Sequence, residues 1–150
     1  MNWSYKSFTE LSGSEVYEIL KLRADIFVVE QNCPFPEIDG HDYESLHVCC
    51  TSDVELLAYA RLLPAGVKYE EPSIGRVVIR PDKRGMGLAH TLMEHSVQTV
   101  IENWNPNKIH LQAQSHLAKF YKKHGFEIIS DIYLEDEIPH VDMLLTQCEK

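Results

Sequence analysis

Residues 77 to 104 constrain this chain more than any other stretch, because they read as strand, glycine turn and helix without interruption. Val77-Val78-Ile79 is a β-branched run suited to a buried strand. Ala89, Met93, Val97, Val100, Ile101 and Trp104 recur at three- and four-residue steps, the period of a helix with one buried stripe. Between them stands Arg84-Gly85-Met86-Gly87-Leu88-Ala89. Glycine lacks a Cβ, so the backbone can take positive φ and approach a ligand closely. The first turn of the helix behind it presents unpaired N–H groups and the positive end of the helix dipole. Together these make an anion site, to which Arg84, Lys83 and Arg80 add cations suited to phosphate oxygens.

Two better-known phosphate loops are excluded by spacing. No Gly-Lys-Ser/Thr closes the turn, and the third glycine of Gly-x-Gly-x-x-Gly is missing. What remains is Arg84-x-x-Gly87-x-Ala89 after a strand, which resembles the pyrophosphate loop of the GNAT family of N-acetyltransferases. A second motif follows in the order that family keeps: Leu111-Gln112-Ala113-Gln114, then Ala118, then Phe120-Tyr121-Lys122-Lys123-His124-Gly125-Phe126. Ser115 stands where the family usually has Asn at the start of this helix.

The rest of the chain fits around these motifs. Trp3 to Phe8 reads as a strand, and Ser12 with Glu15 forms a capping box for a helix carrying Val16, Ile19, Leu20, Arg23, Ile26 and Phe27 and stopping near Gln31. Residues 32 to 42 contain two prolines and a glycine and read as a long ordered loop or a short helix. Leu46 to Thr51 and Glu55 to Leu63, parted by Ser52-Asp53, predict an antiparallel hairpin, and Ile74 to Ile79 a third strand. Ile109 to Ala113 is a strand, Leu117 to His124 a helix ended by Gly125, and Phe126 to Ile129 and Val141 to Leu145 closing strands. The expected fold is α/β (α+β), the GNAT arrangement: a mixed, mostly antiparallel central sheet flanked by helices, in one domain over residues 1–150.

Composition narrows the function classes. A net charge of −9 opposes nucleic-acid binding and favours a cationic or amine acceptor. No run approaches the roughly 20 apolar residues of a membrane helix, and Met1-Asn2-Trp3-Ser4-Tyr5-Lys6 lacks a signal-peptide layout, so a cytoplasmic protein is expected. Cys33, Cys49, Cys50 and Cys148 have no metal-ligand spacing and read as reduced structural thiols, with Cys49 and Cys50 on opposite faces of a strand. The eight histidines are scattered, and no metal site is expected.

The resemblance implies acetyl-CoA as co-substrate, its pantetheine arm beside Val77, Val78 and Ile79 and near Ser115, its pyrophosphate on Arg84, Gly85, Met86, Gly87, Leu88 and Ala89. It also implies Tyr121 as the acid that protonates the departing CoA sulfur. For the general base, His140 in Glu135-Asp136-Glu137-Ile138-Pro139-His140 is of a residue type that titrates in the right range, and the carboxylates beside it could act through water. A homodimer is compatible with the family.

The first half narrows the resemblance. Leu22-Arg23-x-x-Ile26-Phe27-Val28-Val29-Glu30-Gln31-x-Cys33-Pro34-x-Pro36-Glu37-x-Asp39-Gly40-x-Asp42, then His47, together with Tyr133-Leu134-Glu135-Asp136-x-Ile138-Pro139-His140-x-x-Met143, is similar to the ElaA-like subfamily. Glu30, Glu37, Asp39 and Asp42 are the candidates for binding a small-molecule amine or peptide acceptor, although Asp39 and Asp42 equally suit turn formation. Arg23-x-x-x-Phe27, Glu37-x-Asp39-x-x-Asp42 and Arg61-Leu62-Leu63-Pro64 also resemble acyl-homoserine-lactone synthases, which share the fold and use S-adenosylmethionine. A catalytically silent CoA-binding or interaction module is the third reading.

Overall fold

A computed structural model describes residues 1–147. Cys148 lies outside the described residues.

One sheet organises the chain. Its strands are β1 (Asn2–Ser7), β2 (Leu46–Ser52), β3 (Glu55–Leu63), β4 (Ser73–Ile79), β5 (Lys108–Gln114), β6 (Glu127–Ile128), β7 (Tyr133–Glu135) and β8 (Ile138–Thr146). The spatial order is β1-β2-β3-β4-β5-β8-β6, with β7 also paired to β8. Every pairing is antiparallel except that of β4 with β5. The expected mixed sheet flanked by helices is therefore present.

Both faces of the central strands are covered, which is why β3 is buried along nearly its whole length. On one face α2 (Leu88–Trp104) lays Leu92, Met93 and Val100 on Val48, Cys50, Ala60 and Leu62. On the other, α1 (Gly13–Arg23) packs Ile19 and Leu22 against Cys49, Tyr59 and Val78. Cys49 and Cys50 therefore do point to opposite faces, and burial raises both thiols, Cys49 to about 12, so they stay protonated as packing groups.

The α1 capping box forms as read: Glu15 N–H donates to Ser12 Oγ at 3.1 Å and Ser12 N–H to Glu15 Oε1 at 2.9 Å. Beyond Arg23 the helix widens into π turns over Ala24–Glu30, closed by Gln31 N–H to Ile26 O at 3.1 Å and Cys33 N–H to Val28 O at 3.0 Å. The helix over 118–122, α3, is shorter than expected: Leu117 belongs to a tighter 3₁₀ turn over Ser115–Leu117, and residues 123 and 124 already form the closing turn. It ends on Gly125 at φ 92, where Phe126 N–H reaches back to Tyr121 O and Gly125 N–H to Lys122 O. A Cβ at Gly125 would stand 2.8 Å from Leu145 Cδ1, a side-chain end that can turn aside, so it is the φ of 92 that favours glycine there.

Strand β7 is absent from the sequence reading. It joins β8 through Asp136 and Glu137, at φ 51 and 67, a primed turn made without glycine or asparagine and so without its usual signal.

Candidate active site

The sheet splits where β4 meets β5. The two strands pair only at Ser73 and His110, with His110 N–H donating to Pro72 O at 2.9 Å. Beyond that point β4 remains bonded to β3, while its edge toward β5 has no strand partner among the described residues. Arg76 sits in this part of β4 at φ 51, where the β3–β4 register shifts. A non-glycine residue held there marks stored backbone strain, which concentrates at functional sites. The opening is a cavity of about 860 Å³.

One end of the cavity is built from backbone. Val77, Val78 and Ile79 line it and lead through the Pro81–Lys83 turn to Gly85 and Gly87, at φ 82 and 78. Gly87 caps α2, and no acidic residue stands in the first turn of that helix to occupy its N–H groups. Ala89 reaches the cavity wall, Met86 is exposed, and Leu88 turns into the core. Arg84 is held by Glu30 in a two-pronged pair, Nη1 to Oε1 and Nη2 to Oε2, both 2.7 Å. Glu30 thus faces the anion loop. Arg80 is paired with Glu55 and Asp82.

Tyr121 and His140 both line the same cavity. Tyr121 is 8 % exposed, set edge-on to Phe120 and Phe126, and its hydroxyl has no hydrogen-bond partner among the described residues. Burial pushes its pKa up to about 12, which keeps the phenol protonated. His140 Nδ1 lies 2.7 Å from Ile138 O. A carbonyl only accepts, so Nδ1 carries the proton and Nε2 of the neutral ring keeps its lone pair. Ser115 opens the 3₁₀ turn, and the cavity wall there is made by its neighbours Gln114, His116 and Leu117.

The other end is made of side chains. Glu37, Asp39 and Asp42 are not open carboxylates. Arg23, fully buried, donates from Nε to Glu37 Oε2 at 2.9 Å and from Nη1 to Asp42 Oδ1 at 2.6 Å. Arg61, 2 % exposed, holds both oxygens of Asp39 at 2.8 Å and reaches Asp42 at 3.3 Å. Arg76 adds contacts to Glu37 and Asp39. Burial alone would raise Asp39, but hydrogen bonds from Arg61 and from His41 N–H outweigh it and hold the carboxyl well below its usual range. Asp42 follows the same logic with Arg23. Asp42 lies beneath the loop rather than on the cavity wall, where it orients the network.

Lys68, Tyr69, Arg76 and Gln112 also line the cavity and were not singled out from sequence. Tyr69 stacks on His110 at 3.7 Å, and Gln112 donates to Tyr133 Oη at 2.9 Å. The available signal was Arg76 itself, a cation inside an otherwise apolar run. Among the described residues no cluster of three or more His, Cys, Asp or Glu could hold a metal, and no helix is long and apolar enough to cross a membrane.

Comparison with known proteins agrees with this geometry. Residues 29–147 match the model of the acetyltransferase (GNAT) domain. The ElaA protein of Escherichia coli is 39% identical over 145 residues, 95% of each chain, and its crystal structure superposes with a TM-score of 0.89 over 97% of this chain and 99% of that one. An acyl-CoA N-acyltransferase from Pseudomonas aeruginosa gives a TM-score of 0.92 at 40% identity over 97% and 99% of the two chains. A CoA-dependent acyl-homoserine lactone synthase shares the fold at 16% identity and a TM-score of 0.76, over 95% of this chain and 81% of that one.

Proposed function

This chain belongs to the GNAT acetyltransferase family, and from that premise we propose that it is an acetyl-CoA-dependent N-acetyltransferase moving the acetyl group directly to a primary amine. The observation that carries the reading is the cleft between β4 and β5, with the α2 N-terminus at one end and Tyr121 and His140 on its walls.

The unpartnered edge of β4 suits an extended pantetheine arm, which would bind it as an added strand. The N–H groups of the Gly85–Ala89 turn and the Arg84 guanidinium would take the pyrophosphate. His140 Nε2 removes a proton from the acceptor ammonium. The neutral amine then attacks the thioester carbonyl carbon; the C–N bond forms and the C–S bond breaks. Tyr121, still protonated at neutral pH, gives its proton to the leaving sulfur; the second proton, shed by the attacking nitrogen as it becomes the amide, returns through solvent to the Tyr121 phenolate, and His140 releases the first to water. In this reading residues 1–150 act as a single domain.

The test is isothermal titration with acetyl-CoA of the native protein and of Gly87→Glu, which places a carboxylate and a Cβ where φ is 78. Micromolar binding lost in the variant supports the reading; no binding to the native protein overturns it. The alternative, an acyl-homoserine-lactone-synthase-like transfer, draws support from the gathering of Arg23, Glu37, Asp39, Asp42 and Arg61 into one network. Saturable binding of S-adenosylmethionine would favour it.

A further inference from the structure

The charges around the acceptor end leave one cation unbalanced. Arg23, Arg61 and Arg76 are matched by Glu37, Asp39 and Asp42, three against three, in contacts of hydrogen-bond length. Lys68 lines the same cavity and forms no ion pair among the described residues; its ammonium stands 5.5 Å from the Tyr69 ring centroid. Arg76 directs Nε and Nη2 to Glu37 and Asp39, and its Nη1 has no protein partner among the described residues. The strained φ of 51 at Arg76 is what brings this side chain to the cavity from inside a strand. Glu135 and Asp136, carried by the β7–β8 turn, also line the cavity and are likewise unpaired among the described residues.

We propose that the acceptor is an amine that also bears a carboxylate, seated on Lys68 Nζ and Arg76 Nη1, with its ammonium toward Glu135, Asp136 and His140. A single unbalanced positive charge fits a monoanion rather than a phosphate dianion, and one ammonium beside one guanidinium edge supplies two charge-assisted donors for two carboxylate oxygens. Burial first, then the nearby Arg76 and Arg61, lower the Lys68 pKa against the opposing pull of Asp39 and Glu135, so both arginines and acids lie within reach of this ammonium. A bare polyamine could face Glu135 and Asp136 but would leave Lys68 without a counterion.

This inference rests on the transferase reading and deepens it. The experiment is calorimetric titration of the protein, with and without saturating CoA, by the twenty common amino acids, each against its neutral carboxamide. The amino acids that bind should do so at least about tenfold more tightly than their carboxamides, and Lys68→Gln should abolish that preference while leaving CoA binding unchanged. Equal or tighter binding of carboxamides, a preference that survives Lys68→Gln, or no binding by either set overturns it. Acetyl transfer to amines without carboxylate preference would sink this inference and keep the transferase. Carboxylate-selective binding with no turnover would do the reverse.

Discussion

The two ends of the cleft are made of different materials. At the proposed coenzyme end the groups on offer are the backbone N–H groups of residues 85–89, where β4 leads into α2, and the side-chain pairs there, Arg84 with Glu30 and Arg80 with Glu55 and Asp82, are substantially exposed. At the acceptor end the functional groups are buried side chains drawn from α1, the 31–42 loop, β3 and β4, joined across 14 to 39 residues of sequence. A backbone site needs only local conformation and tolerates change in its side chains. A buried ionic site depends on every member, because removing one leaves an uncompensated charge in a low-dielectric setting.

The comparison can be broken most forcefully at Arg23. Arg23→Ala should cost about 3–5 kcal/mol of unfolding free energy, since Asp42 and Glu37 lose their buried partner, and urea denaturation reads it. A loss below about 1 kcal/mol would mean that the acceptor end is no more interdependent than a surface cluster. Tyr121→Phe sharpens the contrast from the chemistry side: turnover should fall about 10²-fold or more, with the melting temperature nearly unchanged because the hydroxyl has no partner to lose. Unchanged turnover would remove Tyr121 as the acid.

Acid should loosen the acceptor end first. Burial lowers the His47 pKa, and Nε2–H donates to Asp42 O at 2.9 Å while Nδ1 accepts from Tyr59 Oη–H at 2.6 Å. The unfolded chain therefore takes the proton more readily, so this contribution is full above about 6.5 and declines as pH falls through the lower folded value. Asp39 and Asp42, depressed in the fold, contribute above about 3.9 and lose that contribution as pH drops through their folded values. A melting curve against pH should show both declines, and His47→Gln should flatten the first. The smallest effect belongs to Glu30→Gln, which frees Arg84 from an exposed pair: affinity for acetyl-CoA should rise by less than about fivefold with stability unaltered. A fall in affinity would mean that Glu30 positions Arg84 rather than competing for it.

These contrasts also explain what was legible beforehand. The strand, glycine turn and α2, the Ser12 cap, the hairpin of β2 and β3, and the two faces of Cys49 and Cys50 are short-range consequences of periodicity and local hydrogen bonding. Strand β7 escaped because the second residue of its turn, Glu137 at φ 67, departs from the glycine that usually follows Asp in such a turn. The π turns over Ala24–Glu30 carry no periodic signal that separates them from ordinary helix. Glu37, Asp39 and Asp42 stand out in the sequence as acceptor-pocket candidates, with turn formation equally open to the two aspartates, but the arginines that pair with them come from three other elements.

By itself, then, the sequence determined the order of elements apart from β7, and the strand, glycine turn and helix around Gly85 and Gly87, because these depend on residues within one or two turns of each other. Only the tertiary structure decided that β4 and β5 meet at Ser73 and His110 and then part, that Tyr121 and His140 share the resulting cavity, and that Lys68 on its wall has no ion pair among the described residues. Charge balance in a buried site is a sum over neighbours in space, and spacing along a chain does not contain it.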